Sequence, residues 1–266
     1  IKHSELRRIG ETTTMRVKAR IFSGVVCEQY VFTVSDRTKN VKTAEPRPRF
    51  KTNVEREEYN YKKAARHFAR IVNQNFTPAS YYCTLTLDAE HEIHDFPTAF
   101  QEFENYTRRL KRKYPDARFV WVMGRGKATH RIHFHMIIDG VPESDISAKW
   151  GMGDVKRIEH LREHNRNPEG VNVGQDYSAL ACYLFAHWTK EQGGHYWHGT
   201  TRNLRQPDRE ATKPVKRNYS LTNPPRCPKG YTLTETSSSP YGYLYYKYVK
   251  LPAPKKRGRK SKADTG

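Results

Sequence analysis

The segment RIHFHMIID, residues 131–139, carries His133 and His135 within an otherwise largely apolar run. Its strict alternation predicts a β-strand, in which side chains two residues apart point to the same face. Both imidazoles therefore project from one face, whereas Phe134 points to the other. A neutral imidazole nitrogen is a good ligand for a divalent cation, so the pair predicts a metal site. The alternative is that both histidines are half-buried structural residues on a mixed sheet face.

Tyr183 is the second candidate for chemistry, in a predicted helix that Asp176 caps and that runs to about residue 191. Helical spacing places Tyr177 on the apolar stripe that packs on the sheet, and Tyr183 and Lys190 on the adjacent stripe. A tyrosine hydroxyl can attack phosphorus to form a covalent intermediate, and a nearby lysine can stabilise the developing charge. The alternatives are a semi-buried structural Tyr183, or Tyr177 as the nucleophile.

The chain has 266 residues, with 48 Lys+Arg against 28 Asp+Glu and a formal net charge of +20. This excess favours a polyanionic partner, most simply nucleic acid. No apolar run is long enough to span a membrane, so no membrane partner is expected. The four cysteines form no CxxC motif, which favours the reducing cytoplasm, with the protein bound to DNA in the nucleoid.

Two groups of basic residues are candidate DNA contacts, one on a predicted helix and one in a basic C-terminal tail. The alternatives are a solvated helix face and a solubilising tail. The helix group is Arg108, Arg109, Lys111, Arg112 and Lys113, and the tail group is Lys255, Lys256, Arg257, Arg259 and Lys260.

The elements that must position these residues alternate between helices and strands. The capping pattern at residues 52–55 and the helical spacing after it predict a helix over residues 53–75, and Pro97 opens a second helix. Strands are predicted over residues 81–87 and 118–123, the latter joined by a hairpin to the histidine strand. The predicted fold class is α+β, with a central antiparallel β-sheet flanked by helices. The predicted domains are an N-terminal β unit with a basic linker (1–50), a main domain (51–250) and a disordered basic tail (251–266).

In their order and spacing these motifs resemble those of the HUH endonucleases, which initiate rolling-circle replication in phages, plasmids and other mobile elements. Residues 82–86 (YCTLT) look like the first strand motif of that family, His133-Phe134-His135 looks like its His-hydrophobic-His motif, and Tyr183 with Lys190 looks like its tyrosine helix. The likeness covers about residues 78–235 and implies that residues 51–250 form an HUH-like endonuclease domain.

The resemblance implies metal-dependent, sequence-specific nicking of single-stranded or hairpin origin DNA, with Mg²⁺ or Mn²⁺ as the cofactor. Tyr183 would become joined to the DNA as a 5′-phosphotyrosine and leave a free 3′-OH for a host polymerase. A host helicase is a further expected partner, because the sequence has no P-loop motif. The alternatives are a relaxase or transposase that uses the same chemistry, and a non-catalytic DNA-binding protein.

The third metal ligand is where the sequence departs from this family. Many relatives carry a glutamate at the place of residues 124–126, which are Gly, Arg and Gly here. Two protein ligands alone would bind a divalent cation weakly, so a third is expected. Asp139 has the right parity on the histidine strand and His130 lies in the hairpin, and the sequence favours them equally. Asp88 and His91 are further candidates.

The tyrosine helix also departs from the family pattern. The usual lysine three residues after the nucleophile is Ala186 here, and Lys190 lies one turn further on. His187 stands where two-tyrosine relatives carry the second nucleophile. The sequence therefore predicts a single-tyrosine enzyme.

Overall fold

A computed structural model of the chain describes residues 14–35, 50–126, 130–186, 198–240 and 242–251. Its order of elements is β1 (Thr14–Ser23), β2 (Val26–Ser35), α1 (Asn53–Asn75), β3 (Tyr81–Thr86), α2 (Phe96–Lys113), β4 (Arg118–Arg125), β5 (Ile132–Asp139), α3 (Glu143–Ala148), β6 (Val155–His160), β7 (Asn165–Arg166), β8 (Asn172–Gly174), α4 (Ser178–Ala186), β9 (His198–Thr200), β10 (Asp208–Arg209), β11 (Lys213–Pro214), β12 (Thr232–Ser238) and β13 (Tyr243–Val249).

The central sheet has five strands in the order β6-β3-β5-β4-β9, and every neighbouring pair is antiparallel. The histidine strand β5 is the middle strand, between β3 and β4. This position explains its composition, because a strand covered on both faces is apolar along most of its length. The predicted α+β fold with a helix-flanked antiparallel sheet is confirmed.

The two faces of the central sheet are covered by different helices. Helix α2 packs on the face of Phe134, where the rings of Phe103 and Phe134 stack with their centroids 4.6 Å apart. Helices α1 and α4 pack on the opposite face, where Val72 and Leu184 join the cluster around Ile137. Because side chains alternate along β5, His133 and His135 lie on this second face with Ile137.

The two long helices begin where the sequence predicts. Thr52 caps α1, and its hydroxyl oxygen accepts a hydrogen bond from the Glu55 main-chain N–H at 3.1 Å. Asp95 caps α2 in the same way, with Pro97 in the first turn, where a missing N–H costs nothing. No helix within the described part of the chain is long and apolar enough to cross a membrane.

A second antiparallel sheet joins strands that precede the central sheet in the sequence with strands that follow it. Its path is β10-β1-β2-β13-β12, with β11 also paired to β1. Strand β2 pairs with β13 along the whole of β13. The predicted domain boundary after residue 50 is therefore not a boundary of the fold, because long-range strand pairing crosses it. The linker at residues 36–49 and the tail after residue 251 lie outside the described residues.

The second sheet is fixed against α1 by a close turn and by buried charges. Gly24, in the β1–β2 turn, has φ +57°, and a Cβ there would lie 2.1 Å from the main-chain oxygen of Asn73. Glu28 pairs with Arg70 of α1, and both side chains are buried. A buried charge needs such a partner, so this pair specifies how α1 sits on the sheet.

Candidate functional site

The two histidines of β5 lie side by side on the face of the central sheet that α1 and α4 cover. Their ring centroids are 4.8 Å apart with an interplanar angle of 76°. In register, His135 lies between Thr84 of β3 and Val122 of β4, and His133 lies opposite Gly124 of β4. The alternation read from the sequence therefore does bring the two rings together.

His135 is held by hydroxyl groups of the neighbouring strand. Its side chain is 5% exposed, and its Nδ1 lies 2.8 Å from Tyr82 Oη and 3.2 Å from Thr84 Oγ1. Hydrogen bonds to one ring nitrogen fix the orientation and tautomer of a histidine that ligates through the other. Nε2 is thus the atom through which this ring would hold a cation.

His133 is suited to the same role by its burial. Burial lowers the pKa of its imidazole, and a hydrogen bond from Nδ1 to the main-chain oxygen of Arg131, 3.4 Å away, only partly opposes this effect. A carbonyl oxygen can only accept, so this bond places the proton on Nδ1. The neutral ring with its proton on Nδ1 is the form that ligates a cation through Nε2.

Tyr183 lies beside the histidines on α4, with its ring centroid 6.0 Å from that of His135. Its side chain is 52% exposed, whereas Ala181 and Leu184 on the other side of the helix are fully buried. Tyr177 is 2% exposed, as its place on the apolar stripe predicts. Of the two candidate nucleophiles, Tyr183 is therefore the one that a polymeric substrate can reach.

The first turn of α4 is held by Asp176, which is buried. Its Oδ1 accepts hydrogen bonds from the main-chain N–H and the hydroxyl of Ser178, at 2.9 and 2.5 Å. Its Oδ2 lies 2.6 Å from Lys247 Nζ of β13. Burial acts to raise the pKa of Asp176, but Lys247 and the hydrogen bonds outweigh it and lower the pKa below its usual value. The second sheet thus helps to position the helix that carries Tyr183.

A cavity of about 220 Å³ opens beside Tyr183, between β6 and α4. Arg157 of β6 lines it, and its guanidinium lies over the Tyr82 ring, 5.6 Å from the centroid. The ion pair of Arg157 with Glu159, at 2.9 Å, joins two half-exposed side chains, and such pairs exchange readily for another anion. Tyr177 also lines this cavity, and its buried hydroxyl has no hydrogen-bond partner among the described residues.

Arg157 and Tyr82 were missed as site residues in the sequence. The available signal was the position of Tyr82, two residues before Thr84, on the same face of a strand that was itself predicted. Arg157 lies on β6, which pairs with β3 and not with the histidine strand, so only the strand order brings it near Tyr183.

The candidate third ligands are not brought to the two histidines. Asp139 accepts a hydrogen bond from Ser80 at 2.9 Å and pairs with Arg118 at 2.6 Å. At about 3.4 Å of rise per residue, it lies roughly 14 Å along the strand from His135. His130 is exposed in the hairpin, with φ 53°.

Asp88 and His91, the further candidates, bond to each other at 2.8 Å after β3. Among the residues that the structure describes, no three His, Cys, Asp or Glu side chains are grouped as a metal site. The donor set therefore fits a divalent cation in part: two neutral imidazoles converge, and the position opposite His133 is Gly124, which has no side chain to contribute.

The basic residues predicted on α2 lie away from this site. The helix covers the Phe134 face of the sheet, opposite to the histidines. Arg109 and Lys111 donate to main-chain carbonyl groups at 2.7–3.3 Å, Lys113 pairs with Asp145 at 2.6 Å, and Arg108 lies 3.6 Å from Glu104. Most of these cations thus have partners within the protein. Outside the described residues lie His187, Lys190 and the tail residues Lys255, Lys256, Arg257, Arg259 and Lys260.

Residues 80–192 match the model of a family described as replication-associated protein ORF2. The matched segment includes β3, both histidines of β5, Arg157 of β6 and Tyr183 of α4. Comparisons with curated proteins and with solved structures found no match. The family match supports a replication-associated protein of the initiator class that acts on DNA.

Proposed function

We propose that the protein is a metal-dependent, sequence-specific single-strand DNA endonuclease and strand transferase of the HUH type. In this role it initiates rolling-circle replication through a 5′-phosphotyrosine intermediate. The observation that carries the proposal is the position of Tyr183, 6.0 Å from His135 between ring centroids and within the segment similar to replication-associated proteins.

The proposed reaction exchanges one phosphodiester bond for another. Tyr183 Oη attacks the scissile phosphorus and forms a P–O bond, while the bond from phosphorus to the 3′ oxygen breaks. The proton lost by the tyrosine is balanced by the one that the 3′ oxygen gains, so a free 3′-OH results. The linkage retains the energy of the broken bond, and the reverse attack by a 3′-OH rejoins a strand. The free 3′-OH would prime a host polymerase, with strand separation by a host helicase.

The residues around Tyr183 would bind and orient the phosphate. Arg157 presents a guanidinium to the cavity beside the tyrosine, where it can pair with a phosphate oxygen. His133 and His135 would hold Mg²⁺ or Mn²⁺, and the bound cation would polarise the phosphate as a Lewis acid. Lys190 is proposed to support the same phosphate, on the strength of its place in the sequence alone.

The experiment that tests this function is covalent capture of DNA. The protein is incubated with labelled single-stranded oligonucleotides that include the origin of its own genetic element, with Mn²⁺ or with EDTA. We expect a labelled adduct that resists denaturation, requires Mn²⁺, and yields a DNA-modified peptide containing Tyr183 in mass spectrometry. DNA binding without an adduct would instead support a non-catalytic DNA-binding protein. An adduct formed only on transfer-origin or transposon-end DNA would support a relaxase or transposase.

The choice of cation follows from the donor set. Imidazole nitrogens suit transition metals, whereas Mg²⁺ prefers oxygen ligands, so we expect adduct formation to be faster with Mn²⁺ than with Mg²⁺. In Gly124→Glu, a carboxylate would be added directly opposite His133, and the concentration of cation needed for half-maximal activity should fall roughly tenfold. Cation titrations of the adduct yield check both expectations.

Gly126→Glu is the matched control, because it adds the same charge to the hairpin after β4 ends. An equal effect of Gly124→Glu and Gly126→Glu would show that only the general charge matters and not a ligand beside His133.

Arg157 is expected to bind the scissile phosphate. Arg157→Gln should lower the rate of adduct formation about 10²-fold, and Arg157→Lys should recover part of it, because a charge remains but the bidentate geometry is lost. Single-turnover rates at saturating DNA measure this. Lys156→Gln is the control: its neighbouring side chain points to the other face of β6, and its loss should leave the rate unchanged.

A further inference from the structure

A groove between α1 and the second sheet lies outside both the histidine site and most of the family match. It consists of two adjoining cavities of about 290 and 340 Å³, which share Lys62, Arg66, Ser237 and Tyr245 in their lining. We refer to these joined cavities as the basic groove. Its walls are α1 on one side and the hairpin of β12 and β13 on the other.

The charges of the first cavity favour an anion. Lys62, Lys63 and Arg66 line it, against Glu58 as the acidic residue in its described lining. Lys62 and Glu58 pair at 2.6 Å, but both side chains are more than 60% exposed. A pair so exposed contributes little and is screened by salt, so Lys62 can exchange this partner for a phosphate.

The second cavity has a more even balance of charge. Its lining adds Glu28 and Glu235 together with Arg70 and Lys247, and Glu28 is already paired with Arg70. The phosphate contacts are therefore expected chiefly at the lysines of the first cavity.

Aromatic and hydroxyl groups complete the lining. The Arg66 guanidinium lies 5.5 Å from the centroid of the Tyr245 ring, and its Nη1 lies 3.4 Å from Tyr243 Oη. Tyr59 lines the first cavity and Tyr61 the second. Three serines at residues 237–239 add hydroxyl groups that can donate to phosphate oxygens.

The basic groove approaches the proposed nucleophile along α4. Its second cavity is lined by Ser178 and Cys182, and Cys182 directly precedes Tyr183 in the helix. Tyr61 of the groove also contacts α4, with its ring centroid 5.2 Å from that of Phe185. A chain lying in the groove can therefore continue toward Tyr183 without leaving the surface formed by α1 and α4.

From this lining we infer that the basic groove binds single-stranded DNA that flanks the strand cleaved at Tyr183. Cationic side chains that follow a backbone, combined with aromatic rings that stack bases, characterise single-strand binding. Duplex DNA is read instead by a helix or ribbon that protrudes into its major groove, and the basic groove is concave. The link to Tyr183 rests on the proposed function, whereas the affinity of the groove for single strands does not.

The test removes two groove cations from the full chain and measures binding without cleavage. Lys62→Gln/Lys63→Gln changes two exposed side chains, and the matched control Arg108→Gln/Arg112→Gln removes the same charge from α2 on the far side of the central sheet. Dissociation constants for an oligonucleotide of about 30 nucleotides, long enough to cover several binding sites, and for its duplex are measured in EDTA by fluorescence anisotropy over a range of salt concentrations.

We expect Lys62→Gln/Lys63→Gln to weaken single-strand binding and to reduce the slope of log K against log salt by about 1.4, near 0.7 for each lost phosphate contact. The control should change neither quantity. Equal losses in both variants, or a loss only for the duplex, would overturn the inference. A wild-type protein that forms no adduct but shows this difference would refute the nickase and retain the groove.

A second measurement locates the strand directly. Single-stranded DNA carrying 5-iododeoxyuridine is photo-cross-linked to the wild-type protein, and the modified peptides are identified by mass spectrometry. We expect modification within residues 53–75, at Tyr59 or Tyr61, and its reduction in Lys62→Gln/Lys63→Gln. Cross-links confined to α2 would place the strand on the other face of the central sheet and contradict the inference.

Discussion

Tyr183→Phe is expected to abolish covalent attachment to DNA, with a fall in adduct formation of roughly 10⁴-fold or more. The substitution removes only the attacking oxygen, and the side chain is half exposed, so folding and DNA affinity should be unchanged. The measurement is the yield of denaturation-resistant adduct after single-turnover incubation with Mn²⁺, together with the dissociation constant in EDTA.

Tyr177→Phe is the matched control, because it removes one hydroxyl from the other tyrosine at the start of α4. That hydroxyl is buried, and burial raises the pKa of its phenol. We expect the adduct to persist in Tyr177→Phe. An adduct that persisted in Tyr183→Phe and vanished in Tyr177→Phe would move the nucleophile to Tyr177.

The second large effect is expected for His135→Ala, which should slow adduct formation by about 10²–10³-fold at any concentration of Mn²⁺. Tyr82→Phe should have a smaller effect, about 10- to 100-fold, because it removes the hydroxyl that holds His135 Nδ1 but keeps the ligand itself. Isothermal titration with Mn²⁺ should show weaker cation binding in the same order.

Two observations guard this prediction against a trivial loss of folding. His164→Ala removes a largely exposed histidine and should behave as wild type. Thermal unfolding of His135→Ala should remain cooperative, since the apolar cluster around Ile137 keeps all its members. Full activity of His135→Ala, or activity of the wild type in EDTA, would refute a role for His135 in holding a cation.

Local patterns in the sequence were enough to predict the elements of the central sheet and the faces of its middle strand. Alternation along residues 131–139 placed His133 and His135 on one side, and helical spacing distinguished the buried Tyr177 from the exposed Tyr183. These predictions depend only on the periods of strand and helix, which act over a few residues.

Features that depend on distant parts of the chain could not be predicted in this way. The apolar stripe of α2 showed which side of the helix is buried, but not which face of the sheet covers it, so its basic residues were assigned to DNA contact. Asp139 has the parity expected of a ligand, but its distance along the strand and its pairing with Arg118 separate it from His135. The pairing of β2 with β13 has no local signature at all.

The contact between Lys247 and Asp176 has a consequence for when the protein becomes competent. The ammonium of Lys247 neutralises a buried carboxylate at the first turn of the tyrosine helix, but the ribosome adds this lysine well after Tyr183. A nascent chain that has already displayed the histidines and Tyr183 still lacks this partner and the last strands of the second sheet. Premature termination before residue 247 would therefore release a protein whose tyrosine helix is poorly anchored, so translation itself delays cutting until the second sheet has been synthesised.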